Sequence, residues 1–239
     1  MASKRNRLGE PTGSMTFGEK VLKFNQWLKD SPPVTSENIE ILQPFENGEV
    51  QRVNQIFYNK YFSDGSRRTF ILGINPGRLG AGITGIPFTD PVQLEMACGI
   101  TNNFVQRGEL SSEFIYHMII KLGGINDFYS RFYLTSVCPL GFMKNGINLN
   151  YYDDKELELS TLSFIHESML RQLDLNANRE IAFVLGEGKN FKFFSKLNST
   201  HGYFKELIPL PHPRFIMQYK RKEINKYIKL YRKKLTADY

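Results

Sequence analysis

The stretch TFILGINPGRLGAGITGIPFTD, residues 69–90, joins an apolar run to a loop rich in glycine and proline. The run 69–72 predicts the end of a buried strand, and residues 73–90 then contain five glycines and two prolines. Glycine reaches backbone conformations closed to other residues and lets a ligand approach the main chain, whereas proline prevents a helix. Such loops after strands bind ligands in open α/β sheets, so this stretch predicts an α/β fold with a binding site.

Apolar and amphipathic segments alternate along the rest of the chain. Strands are predicted over 68–74, 132–137, 181–185 and 206–210. Helices are predicted over 17–29, 49–62, 91–96, 114–122, 154–175, 190–197 and 218–234, with a short helix or turn at 38–42. This alternation predicts a parallel sheet with helices on both faces, within a single domain over residues 15–239. Residues 1–14 are interpreted as a disordered leader or an expression scar before a start at Met15.

Composition narrows the class of protein. The formal net charge is +7 over 239 residues, which favours DNA or another polyanion as partner, although an ordinary basic protein is equally compatible. No apolar run approaches the ~18 residues that span a bilayer, so no membrane partner is expected. The two cysteines, Cys98 and Cys138, are too few for a disulfide scaffold or a zinc site and indicate a reducing compartment.

The glycine loop contains the pattern G-x-G-x-x-G from Gly80 to Gly85. A dinucleotide site requires a helix directly behind this pattern, because the helix N-terminus binds the pyrophosphate. Pro87 and Pro91 follow instead, which argues against a nucleotide-binding oxidoreductase. The loop also lacks the Gly-Lys-Ser/Thr of a phosphate-binding P-loop.

Three predicted strands end in polar loops, and parallel strand ends meet at one edge of a sheet. The loops carry Asn75, Ser136 and His212, the last of these between two prolines. An amide can hold a water or a base but cannot act as a general base, and a neutral imidazole can donate to an oxygen that gains negative charge. Each of these residues also has a purely structural interpretation. Asn beside Pro-Gly is more commonly a turn residue, and His212 could be a buried and satisfied histidine. Phe88 is by default a core side chain, and the alternative is a stacking platform for a flat ligand.

Three motifs in order resemble a known family. GINPGRLGAGITGIPF (73–88), CPLGFMKNGINL (138–149) and LPHPR (210–214) are similar to the landmarks of the single-strand-selective monofunctional uracil-DNA glycosylases, the SMUG group. The resemblance implies a three-layer α/β/α domain with a mostly parallel four-stranded central sheet and no metal or cofactor. It also implies that a damaged base is flipped out of DNA and that its N-glycosidic bond is hydrolysed, which initiates base excision repair.

The resemblance assigns roles to four residues. Asn75 would position the water, and His212 would donate to the leaving base as it becomes anionic. Phe88 would stack on the base, and Gly77 would line the pocket. The expected partner is DNA that contains a deaminated base, single- or double-stranded, acted on by a monomer in the bacterial cytoplasm at the nucleoid.

The sequence departs from the familiar members at two places, which indicates a divergent bacterial branch. Ser136 stands where an asparagine reads the uracil edge, so we expect a looser base range that includes xanthine or hypoxanthine. The histidine motif is shorter, because it lacks the Ser-Pro that separates Pro from Arg in the familiar members, and Phe215 follows Arg214 directly. Arg214 is the first candidate for the side chain that wedges into the duplex, with Phe215 or Met217 next.

Two alternatives and one further contact stay open at this point. Lys189, in the loop after the third predicted strand, is a candidate for a phosphate contact. Asp90, near the glycine loop in sequence, could activate water in place of Asn75. A DNA-binding module without activity is a further alternative, although the presence of the residues expected for catalysis argues against it.

Overall fold

The computed structural model describes residues 15–237, and the proposed leader at 1–14 lies outside them. Within the described residues the strands are Glu40–Leu42 (β1), Arg68–Gly73 (β2), Phe132–Ser136 (β3), Gly141–Lys144 (β4), Ile147–Leu149 (β5), Ala177–Leu185 (β6) and Glu206–Leu210 (β7). The α-helices are Phe17–Asp30 (α1), Gly48–Tyr61 (α2), Ala81–Thr84 (α3), Pro91–Met96 (α4), Leu110–Lys121 (α5), Ile125–Arg131 (α6), Lys155–Leu173 (α7), Lys189–His201 (α8), Pro213–Tyr219 (α9) and Ile224–Leu235 (α10).

The central sheet has the strand order β3-β2-β6-β7, and all its neighbouring strands are parallel. Helices flank it, so the expected three-layer α/β/α architecture is confirmed. Phe70, Ile71 and Leu72 of β2 are fully buried. A central parallel strand is covered on both faces, which explains why its sequence is continuously apolar over residues 70–72.

A second, antiparallel sheet of order β1-β4-β5 corrects one expectation and contains a hairpin that the sequence did not predict. Residues 38–42, predicted as a short helix or turn, contain β1, which pairs with β4 about a hundred residues later. A three-residue edge strand takes its conformation from a distant partner, so local periodicity does not reveal it. The segment after Cys138 forms the hairpin β4–β5, whose turn at Asn145 and Gly146 has positive φ angles of 53° and 73°.

Most predicted helices are confirmed to within a few residues. α1 starts at a capping box, in which Thr16 Oγ1 accepts from the N–H of Glu19 and Glu19 Oε2 accepts from the N–H of Thr16. α5 begins at Leu110, about one turn before the predicted start. The short helices α3 and α6 were not predicted, and neither carries a side-chain cap that would mark it.

The single helix predicted over 218–234 is wrong. α9 ends at Tyr219, the 3₁₀ turn Arg221–Glu223 follows, and α10 then starts at Ile224. This change of direction lets Tyr231 pack edge-on against Phe114 of α5, with 5.1 Å between ring centroids. Its hydroxyl donates to the carbonyl of Pro211 at 2.5 Å, which ties α10 to the start of α9.

The strand ends converge at one edge of the central sheet, as expected. Gly73 and Ser136 are directly paired across β2 and β3. The N–H of Gly186 donates to the carbonyl of Leu210 at 2.8 Å and holds the ends of β6 and β7 together. The loops that carry Asn75, Ser136 and His212 therefore share this edge. Between residues 15 and 237, no helix is long and apolar enough to cross a bilayer.

Candidate active site

Two adjoining cavities lie at the carboxyl edge of the sheet. The inner pocket has a volume of about 360 Å³, including space open to solvent, and its lining residues include Asn75, Gly77, Phe88, Glu109, Ser136 and His212. The outer groove has a volume of about 890 Å³ on the same measure. It shares Asn75, Gly77, Glu109 and His212 with the inner pocket and adds Asn148, Arg214, Phe215 and Tyr219. The three motif loops thus meet around one pocket that opens into a wider groove.

The amide of Asn75 is held by the main chain beyond β5. Its Nδ2 donates to the carbonyl of Leu149 at 3.1 Å, and its Oδ1 accepts from the N–H of Tyr151 at 3.2 Å. These two bonds fix which end of the amide carries the oxygen and join the glycine loop to the second motif. Since Oδ1 has two lone pairs, one acceptor position remains for a water or another donor.

The ring of Phe88 is placed by a strained backbone. Phe88 has a φ of +54°, which is uncommon for a bulky residue. The hydroxyl of Thr84 donates to the carbonyl of Thr89 at 2.6 Å, and the N–H of Thr89 donates to the carbonyl of Ile86, so the turn is fixed on both sides. Such strain persists where the surrounding contacts determine it and is frequent at ligand sites.

His212 caps helix α9 through its ring. Its Nδ1 accepts from the N–H of Arg214 at 3.1 Å, so the neutral ring carries its proton on Nε2. Burial, with a contribution from the positive charge of Arg214, lowers the pKa of His212 from 6.5 to about 4. The imidazole is therefore neutral at pH 7 and retains one N–H donor, and its ring centroid lies 6.4 Å from that of Phe88.

Ser136 is the last residue of β3 and lines the inner pocket. It is buried, and its carbonyl accepts from Nε2 of Gln172 at 3.4 Å. Gln172 Oε1 also accepts from the hydroxyl of Thr135 at 2.6 Å, so a buried side chain of α7 fixes the end of this strand. The Ser136 side chain thus projects from a firmly held position.

Gly77 lines both cavities, and its carbonyl accepts from the N–H groups of Gly80 and Gly82. A Cβ at Gly77 would meet Asn148 and Glu109 only at 3.5 Å, which is ordinary contact. A Cβ at Gly82 would lie 2.7 Å from the Gly77 carbonyl oxygen. The turn itself therefore requires glycine at position 82, whereas Gly77 leaves space in the pocket.

The candidate DNA-contacting residues divide into two groups. Arg214 and Phe215 line the outer groove, and the exposed ring of Phe215 lies 5.7 Å from that of Tyr219, one turn later on α9. Lys189 begins α8, is exposed, and has its Nζ 3.9 Å from Asp153 Oδ1; it does not line either cavity. The expectation for Met217 is wrong, because its side chain is only 3% exposed and packs in the core.

Sequence reasoning did not select Glu109. It directly precedes α5 without a capping bond from its side chain, and its main-chain N–H donates to Asp90 Oδ2 at 2.7 Å. Burial raises the pKa of the Glu109 carboxyl, as does the charge of Asp90, while Arg214 and Ser111 act in the opposite direction. Little in the local sequence marks Glu109, since acidic residues are common at helix starts.

Asp90, the carboxylate considered from the sequence, has its oxygens engaged elsewhere. Oδ1 accepts from the N–H of Gln93 and caps α4, and Oδ2 accepts from the N–H of Glu109. Its side chain is buried and does not line either cavity. Asp90 therefore supports the position of Glu109, which does reach the pocket.

Comparison with known proteins gives a match to a sequence family and matches to solved structures. A sequence model described as the uracil DNA glycosylase superfamily matches residues 60–236. The chain is also similar to the crystal structure of wild-type SMUG2 from Pedobacter heparinus, with 44% identity and a TM-score of 0.89 over 93% of this chain and 97% of that one. No curated protein sequence matched.

Proposed function

Because the chain belongs to the uracil DNA glycosylase superfamily, as a SMUG-like member, we propose that it is a monofunctional DNA glycosylase that acts on uracil. It hydrolyses the N-glycosidic bond of uracil in DNA, and also that of xanthine or hypoxanthine, and so initiates base excision repair. One observation carries this proposal: Asn75, Phe88, Ser136 and a neutral His212 line a single pocket.

Access to this pocket requires a base outside the helical stack. Enzymes that act on a base inside a duplex flip it into a tight pocket, where its edge and face are recognised separately. In this proposal Phe88 stacks on the face of the base, Ser136 contacts its edge, and Gly77 provides space for it. The serine hydroxyl rotates and can donate or accept, which supports a range wider than uracil.

The chemistry divides between Asn75 and His212. The free acceptor position on Asn75 Oδ1 holds the water that attacks C1′ of the sugar. As the bond from C1′ to the base nitrogen breaks, the electron pair leaves with the base. Nε2–H of His212 then donates to the base oxygen on which negative charge develops. A neutral donor fixed before the reaction begins suits this task, and the Arg214 main-chain bond keeps His212 in that form.

The outer groove is the proposed path of the DNA strand. Arg214 supplies positive charge beside the pocket, and Phe215 is the exposed apolar side chain that could replace a flipped base in the stack. Lys189, at the start of α8, would contact phosphate farther along. The protein is proposed to act as a monomer at the nucleoid in the bacterial cytoplasm.

Base release from a single-stranded oligonucleotide that contains one uracil tests the proposal. Release of uracil with formation of an abasic site is the expected result, and parallel oligonucleotides with xanthine and hypoxanthine test the base range. Binding of the same oligonucleotides without release of any base would instead favour a DNA-binding module without activity.

A further inference from the structure

Glu109 occupies the boundary between the two cavities. It lines both the inner pocket and the outer groove, as do Asn75 and His212. Of the side chains described around these cavities, that of Glu109 alone is a carboxylate. If the base lies in the inner pocket and the DNA backbone in the groove, the N-glycosidic bond must cross this boundary.

The position of the Glu109 carboxylate depends on the glycine loop. A Cβ at Gly80 would lie 2.0 Å from Glu109 Oε2, so the carboxylate uses the space that a side chain at residue 80 would take. The main chain of Glu109 is fixed from the other side by Asp90. The pocket thus brings a carboxylate from α5 against the loop that carries Asn75.

Asn75 can position the attacking water but cannot accept its proton. The attacking water must lose a proton as its oxygen bonds to C1′, and an amide does not take up a proton near neutral pH. Neutral His212 cannot accept this proton either. Its Nδ1 already accepts from the Arg214 N–H, and its Nε2 carries a hydrogen and is a donor. A carboxylate at the same boundary supplies the missing acceptor.

We propose that Glu109 is the general base that takes the proton from the attacking water. This inference rests on the proposed function. The water oxygen bonds to C1′, the bond from C1′ to the base nitrogen breaks, and its electron pair leaves with the base. The water proton passes to the Glu109 carboxylate, which later releases it to solvent.

The charged and titratable groups around Glu109 support this role. Asp90 behind it and burial both raise its pKa above the ordinary 4.5, which makes the ionised carboxylate a stronger base. Arg214 of α9 opposes that shift and keeps a positive charge on the groove side. His212 and Tyr219 also line the outer groove, and His212 is neutral above about pH 4.

The test compares the rate of base release under single-turnover conditions for the wild type and Glu109→Gln. The variant keeps the shape of the side chain but cannot accept the proton, so its rate should fall by about 100-fold or more, as loss of a general base does. In a plot of rate against pH, the wild-type rate of base release should show a rising limb above pH 4.5, because Glu109 becomes ionised there. The variant should lack this limb. Thermal unfolding and oligonucleotide binding should stay close to those of the wild type.

Glu113→Gln is the matched control. Glu113 is one turn later on α5, where its carboxylate pairs with Arg221 at 2.6 Å outside both cavities. The control should keep the wild-type rate and pH limb. If the wild type releases base and Glu109→Gln does so within threefold of its rate along the same limb, the role of Glu109 is overturned while the glycosylase proposal stands. If the wild type releases none of the bases tested, both proposals are overturned.

Discussion

The ring of Phe88 lies where a side chain at Gly73 would have to be. A Cβ built on Gly73 would come within 2.6 Å of Phe88 Cζ and 2.8 Å of its Cε2. Gly73 is the last residue of β2, so the strand end and the aromatic wall of the pocket fix each other. Position 73 therefore requires glycine because any larger side chain would collide with the Phe88 ring.

Gly73→Ala should displace the Phe88 ring and slow base release by about tenfold or more, because small misplacements in a site are costly. Single-turnover release of uracil measures this. Gly48→Ala is the control, since a Cβ there meets nothing within 4 Å, and it should leave the rate unchanged. An unchanged rate for Gly73→Ala would show that the position of Phe88 does not matter for the reaction.

His212 should make the protein sensitive to mild acid. Its pKa is about 4 in the folded protein and 6.5 ordinarily, so between these values the unfolded chain binds a proton that the folded protein does not. Stability therefore falls as pH is lowered from 6.5 and the loss, at most about 3 kcal/mol, is complete below about pH 4.

His212→Asn should remove this part of the acid sensitivity, because asparagine caps a helix without titrating. The free energy of unfolding, measured by denaturant titration from pH 7 to pH 4, should fall less in the variant than in the wild type. Two parallel curves would contradict the lowered pKa of His212.

Ser136→Asn should narrow the base range. Asparagine presents a donor and an acceptor in fixed geometry, so the ratio of uracil release to xanthine release should rise about tenfold, the effect of roughly one hydrogen bond. Ser136→Ala, which removes the hydroxyl and adds no amide, should slow release without such a preference. An unchanged ratio in Ser136→Asn would mean that this residue does not read the base edge.

Phe215→Ala should impair duplex substrates more than single strands, because a wedge is needed only where a base must leave a paired stack. The measurement is the ratio of uracil release from matched double- and single-stranded oligonucleotides. Leu159→Ala, on α7 and similarly exposed but outside both cavities, should keep the wild-type ratio. Equal losses on both substrates would assign Phe215 to general DNA contact.

The sequence was informative where a structural constraint is local. β3 is buried throughout, as are residues 70–73 of β2 and 181–185 of β6. The rule that parallel strand ends meet predicts that Asn75, Ser136 and His212 share one edge. The strand β1 was missed because its conformation depends on β4. A helical tail was predicted as one piece because nothing in its periodicity marks the turn at Lys220.

The pocket residues also differ in whether local sequence or the distant contacts of the fold reveal them. Asn75 and His212 stand in motifs that are unusual as sequence, with glycine or proline beside them. Glu109 stands in a segment that reads as an ordinary helix start, and only the fold brings its carboxylate against Gly80. Met217 was interpreted as a candidate wedge, yet the helical phase of α9 turns it into the core while Phe215 faces outward.

Single-turnover release of uracil by the wild type, Asn75→Ala and His212→Ala tests the central claim most directly. We expect release by the wild type and a loss of at least about 100-fold in each variant, the usual effect of removing a group that stabilises developing charge or orients the nucleophile. Thermal unfolding of both variants should show that they remain folded. Near-normal release of uracil by both folded variants would contradict the assignment of this pocket as the active site.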